Sequence, residues 1–254
     1  MIRAHRLLAS AILSLSLAGI TAVALAGNGP GRYKDFTFGR VVYSGNSDFW
    51  SWRGGSRWSV DFPSSDENII RMLRQQTNLR INEPQAIEIT DPALFEVPFL
   101  YILEVGYLEW NQQEAGILKE YLLRGGFMMV DDFHGSREWD VWSTQIQTVF
   151  PDRKVKDIPM NHPVFHCYFD FKEYPQIPST GSLRQGRTYE RDGIYPRCRG
   201  IFDDEGRLMV LINWNTDIGD GWEWAGTTGY YYPRQFAEQA YKLGVNYAIY
   251  AMTH

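Results

Sequence analysis

The apolar run Phe127-Met128-Met129-Val130 constrains the fold more than any other stretch of the chain. Apolar and polar residues do not alternate in it, so both of its faces must be covered. A strand covered on both faces belongs inside a parallel sheet. The residues before it agree. Asn111 opens a helical pattern, Glu114 stands three positions later where a capping box needs its carboxylate, and the pattern runs to Arg124. Gly125-Gly126 can take the left-handed conformation that closes a helix. Asp131 and Asp132 follow the run directly.

The same alternation extends in both directions. Residues 36–44 carry the aromatic and β-branched bias of a strand, and Gly45-Asn46 supply the turn that ends it. An aromatic, glycine-bearing loop over 49–55 precedes a helix whose expected cap is Ser65 or Asp66 and whose inward face is Ile69, Ile70, Leu73 and Thr77. Short strands are expected over 86–90 and 99–104, a helix over 138–149 and an extended segment over 163–171. Residues 200–213 read as a hairpin turning at 203–206. Pro233 stands near the start of a last helix, in which Phe236, Ala240, Leu243, Tyr247 and Tyr250 recur at helical spacing. Strands alternating with helices define an α/β chain with a mostly parallel sheet flanked by helices and an added antiparallel hairpin.

At the N-terminus Arg3 and Arg6 precede a short apolar run over 7–17, and Ala24-Leu25-Ala26 has the small-x-small pattern of a cleavage site. The run is interrupted by serines and falls below the roughly 20 apolar residues a spanning helix needs. Residues 1–26 are therefore expected to be a cleaved signal peptide, leaving 27–254 as a single α/β domain in the periplasm or outside the cell, with no stable membrane span. The net charge is −5, and loss of Arg3 and Arg6 with the leader takes it to −7. That balance lacks the clustered basic residues that neutralise phosphates, which argues against nucleic acid as a partner. An oxidising compartment would permit a bridge between Cys167 and Cys198.

Three stretches carry candidate chemistry. Asp131, Asp132 and His134 follow a buried strand, at the carboxyl edge where open α/β sheets place their ligands. Asp217, Asp220, Trp222 and Glu223 gather in a glycine-bearing stretch beyond another apolar strand, although without the spacing of an EF-hand loop. His162 and His166, four apart, would share a face of extended chain, so Asp131, Asp132, His134 and His162 are candidate ligands of a divalent metal. Each stretch also has a structural explanation. Carboxylates cap helices and brace turns, and histidines satisfy loop backbone. Trp50, Trp52 and Trp58, with Trp222, Trp224 and 230–232, fall in expected loops and would suit a glycan or peptide ligand, or else cover the core. Nucleophile-elbow, P-loop, dinucleotide and His-Glu-x-x-His signatures are absent.

Taken in order, Gly125 to Phe133, Asn161-His162-Pro163-Val164-Phe165, Asp217 to Glu223 and Leu243-Gly244-Val245-Asn246-Tyr247 resemble the bacterial family of domains of unknown function numbered 4159, over about 36–251. The resemblance implies a fold similar to class I glutamine amidotransferases, a flavodoxin-like sheet between helices. That superfamily often carries a cysteine nucleophile on a sharp turn after a central strand. Here the comparable turn is Glu104-Val105-Gly106-Tyr107, without a cysteine.

Three functions follow as expectations. The first is a non-catalytic envelope domain that binds a small glycan or peptide ligand or a protein partner through Asp131, Asp132, His134, Asp217, Asp220, Trp222 and Glu223. The second is a metal-assisted hydrolase of an envelope glycan or peptide, with Glu223 as base. The third is a structural part of an envelope assembly.

Overall fold

The computed structural model describes residues 35–45, 56–226 and 232–254. The expected leader, the aromatic loop with Trp50 and Trp52, and Tyr230-Tyr231 lie outside these residues. Among the described residues seven strands form one sheet: β1 Phe38–Val42, β2 Gln85–Glu88, β3 Phe99–Leu103, β4 Phe127–Asp131, β5 Lys156–Asp157, β6 Arg197–Phe202 and β7 Leu208–Trp214. Their order is β2-β1-β3-β4-β7-β6-β5. The first five run parallel, and β6 and β5 continue the sheet antiparallel beyond β7. The parallel part has the flavodoxin-like order, with its switch point between β1 and β3.

Every residue of β3 and β4 is buried, as unbroken apolar runs require. Successive residues feed two separate cores. Phe99, Tyr101, Phe127 and Met129 face helices α1 (Ser64–Gln76), α5 (Ile218–Glu223) and α6 (Arg234–Thr253), while Leu100, Ile102, Met128 and Val130 face α2 (Gln112–Leu123) and α3 (Gly135–Val149). A short helix, α4, spans Thr180–Arg184. The sheet thus lies between two helical layers, a three-layer α/β architecture.

Local chemistry explains most boundaries. Asn111 and Glu114 form the reciprocal capping box that opens α2, at 3.0 and 2.8 Å. Gly125, at φ 103°, turns the chain into β4. Pro233 immediately precedes α6.

Three local expectations are corrected. Ser65 and Asp66 do not cap α1, because both side chains turn inward to Arg40. Residues 163–171 are not extended. Pro163 starts a 3-10 turn, Pro163–Phe165, whose first free amide, that of Val164, donates to His162 Nδ1 at 3.2 Å. The acidic stretch after β7 is not a loop but opens into α5, with Asp217 as its cap. Cys167 and Cys198 are free thiols, both raised by burial, Cys167 to about 11. Among the described residues no helix is long and apolar enough to cross a membrane.

Candidate functional site: an acidic cleft at the carboxyl edge

Three strands, β3, β4 and β7, end at one cleft of about 280 Å³. Its foundation is Arg40 on β1, fully buried beside the switch point. The guanidinium binds Asp66 through Nε (3.2 Å) and Nη2 (2.5 Å), Ser65 Oγ at 2.9 Å and the Val60 carbonyl at 3.1 Å, and it lies 4.5 Å from the Tyr101 ring centroid. Four elements are thereby tied together. The segment entering α1 is drawn back over the sheet edge, and Asp61 is carried into the cleft.

Asp131, the last residue of β4, is a second anchor. Its Oδ2 accepts from Tyr101 Oη (2.9 Å) and from the amides of Ile218 (2.9 Å) and Gly219 (3.0 Å). A carboxylate on the first amides of a helix suits both the orphan N–H groups and the dipole. The start of α5 is fixed to the sheet in this way. Gly219 is needed there, since a Cβ would lie 2.6 Å from Asp61 Oδ2 and 2.8 Å from Tyr101 Oη. Burial still pushes the Asp131 carboxyl up to about 7 against its donors, and among the described residues Oδ1 has no partner.

On these anchors the cleft assembles eight carboxylates. Asp61, Asp132, Asp217, Asp220 and Glu223 form its centre. Asp217 Oδ1 accepts from the Asp220 amide at 2.8 Å, and Asp220 accepts from the Thr180 amide (2.6 Å) and Trp224 Nε1 (2.9 Å). Two sets offer oxygens within 4.8 Å of one another: Asp61 with Asp132 and Asp217, and Asp61 with Asp220 and Glu223. Burial, reinforced by the neighbouring carboxylates, raises the proton affinity of Asp61, Asp132, Asp217 and Glu223, and burial also raises Asp220 against its hydrogen bonds. Among the described residues Asp61 Oδ2 is buried without a hydrogen-bond partner.

Glu104, Glu138 and Glu190 form the far wall with His134 and Arg191. Glu104 sits on the sharp turn after β3 in left-handed conformation, φ 54°, and pairs with Arg57 at 2.9 Å. Burial pushes its carboxyl up to about 7, with Arg57 opposing. Glu138 accepts from the His134 amide and pairs with Arg191, each at 2.5 Å, and Glu190 accepts from the Ser179 hydroxyl. His134 Nε2 lies 3.2 Å from Asp132 Oδ1, while Nδ1 is buried without a partner.

Of the residues singled out in the sequence, Asp132, His134, Asp217, Asp220 and Glu223 line the cleft together. Asp131 lies beneath it as an anchor. Trp222 is buried in the core, 1% exposed, with Nε1 donating to the Ala240 carbonyl. Trp224 lines the cleft, Trp58 packs on Phe62, and the Tyr232 hydroxyl donates to the Pro178 carbonyl. His162 stands apart from the cleft, against the rings of Phe202 and Tyr250. His166 binds Asp170 and the Met160 carbonyl. Sequence reasoning missed Asp61, Glu104, Glu138, Glu190 and Arg191. Glu104 had a signal, for it directly follows a buried strand just as Asp131 and Asp132 do.

Fold and site together define a flavodoxin-like α/β domain with an acidic cleft at the carboxyl edge of its sheet. Residues 37–252 match the family model described as a domain of unknown function, DUF4159, and the chain belongs to that family. Comparison with curated proteins gives no match.

Proposed function

We propose that the chain is a cation-dependent ligand-binding domain, in which the acidic cleft takes up a hard divalent cation such as Mg²⁺, Mn²⁺ or Ca²⁺ and presents it to a polar ligand. One observation carries this reading. Among the described residues, five non-glycine residues have positive φ: Asp61, Glu104, Asp132, Arg191 and Asn215. The first four line the cleft. Asn215 braces its rim, accepting from the Gly135 amide at 2.9 Å and donating to the Tyr195 carbonyl at 2.8 Å. Left-handed backbone costs about 1–2 kcal/mol for an ordinary residue such as Glu104 or Arg191, and less for Asp and Asn. Strain gathered at one place and held by surrounding structure marks a preorganised site. The all-oxygen centre favours hard cations over thiophilic ones.

Titration calorimetry of the protein with Mn²⁺ or Ca²⁺ tests this directly. Saturable binding, weakened at least about tenfold by Asp217→Asn, is the expected result. Absence of heat and of any melting shift with all three ions would contradict it.

Metal-assisted hydrolysis of an envelope glycan or peptide is a second reading. It draws support from the His134–Asp132 pair beside the cation centre and from a Glu104 carboxyl that titrates near neutrality. Metal-dependent release of product from such a polymer, lost in His134→Ala with cation affinity retained, would promote it over simple binding. The reading includes removal of residues 1–26 as a leader and a place outside the cytoplasm, so the purified mature chain should begin at Gly27 by N-terminal sequencing. An intact Met1 would contradict that placement.

A further inference from the structure

We propose that the cleft holds two hard divalent cations side by side, bridged by the carboxylate of Asp61. The inference rests on the cation-binding reading above and goes beyond it. Asp61 is the one residue common to both oxygen sets. The sets come from different parts of the fold: Asp132 and Asp217 from the exits of β4 and β7, and Asp220 and Glu223 from a single turn of α5. Each set alone is a three-carboxylate cradle, and a carboxylate has two oxygens with which to join neighbouring ions. Carboxylate-bridged pairs sit about 3.5–4 Å apart, a span that one shared aspartate covers.

Charge decides between one ion and two. Once cations displace the protons that burial favours, five carboxylates around a single divalent cation leave three negative charges in a mostly buried space, whereas two cations leave one. Desolvation makes the larger residue costly.

Buried polar atoms without partners stand at the same cleft. Among the described residues Asp61 Oδ2 is buried without a hydrogen-bond partner, although Asp217 Oδ1 and both oxygens of Asp220 have theirs. The imidazole of His134, 4% exposed, borders the same cleft with Nδ1 unpartnered. A buried polar atom without a partner calls for an ion or a water.

The test is Mn²⁺ titration of the mature protein, read by calorimetric stoichiometry and by electron paramagnetic resonance. Two Mn²⁺ per chain with an exchange-coupled spectrum are expected. Glu223→Gln should reduce the count to one and abolish the coupling. Asp61→Asn, whose asparagine tolerates the left-handed backbone at φ 61°, should weaken both ions at least about tenfold while far-ultraviolet circular dichroism stays unchanged. A single uncoupled Mn²⁺ in the unaltered protein, or two without coupling, would overturn the bridged pair and leave cation binding standing. No bound Mn²⁺ would remove both.

Discussion

Beside the switch point Arg40 and Asp66 bury one charge each and satisfy them completely, with Ser65 and the Val60 and Trp58 carbonyls taking the remaining donors. Directly above, among the described residues, the cleft gathers eight carboxylates beside the guanidinium of Arg191, already paired with Glu138, and the imidazole of His134. The two regions are joined by the same short segment, since the chain that Arg40 holds also carries Asp61. The lower region has the completeness of a structural hub, in which nothing is left for a ligand to add. The upper region is held in repulsion, with raised proton affinities and unpartnered atoms. The difference between buried charge that is finished and buried charge that is waiting separates scaffold from site in this fold.

The sharpest way to break the comparison is to unbalance the hub. Arg40→Met strands Asp66 in the core and should cost about 3–5 kcal/mol, or roughly 6–20 °C in Tm. Adding Asp66→Leu should recover most of that loss. If the double variant melts no higher than the single one, the hub is not the self-contained pair described. Next in size, Asp131→Ala removes the acceptor of Tyr101 and of two α5 amides and should cost about 2–4 kcal/mol by denaturant melting. It should also weaken cation uptake, because α5 carries Asp220 and Glu223. Unchanged affinity in that variant would mean that the anchor does not set the cleft. Farther from both regions, Asn111→Ala should lose about 1 kcal/mol through the α2 cap and leave cation affinity untouched.

Much of this arrangement was legible beforehand, for identifiable reasons. Continuous apolar runs announced β3 and β4, and the capping box announced α2. Asp132, His134, Asp217, Asp220 and Glu223 could be picked out because they follow buried strands, which in a parallel sheet all end on one edge. Asp61 could not be picked out. Its place depends on hydrogen bonds from Arg40, far away in sequence, and no local pattern encodes them. Asp131 and Asp132 looked equivalent in the sequence. The pleat sends one under the edge to hold α5, and the left-handed turn at Asp132, φ 47°, sends the other into the cleft. Trp222 was grouped with ligand-facing rings because 213–223 read as a loop. As a helix, α5 turns that side chain into the core instead. The histidine pair failed to converge because Pro163 begins a 3-10 turn, which removes the period-two geometry of extended chain.

The central claim is that the cleft is a charge-strained site relieved by cations, and melting temperature against pH, with and without Mn²⁺, tests it most directly. The Glu104 and Asp131 carboxyls keep their protons to about 7 in the folded chain, against 4.5 and 3.8 for the ordinary groups. Between those limits the folded state binds more protons than the unfolded, so stability must fall as pH rises. Chelated protein is therefore expected to melt at steadily lower temperature from pH 5 to pH 8. Mn²⁺ at about 100 times its Kd should restore about 2.7 kcal/mol, roughly 5–10 °C, at pH 8 and much less at pH 5, where protons occupy the carboxylates. A chelated protein that grows more stable over this interval, or one that ignores Mn²⁺ at pH 8, would contradict the account.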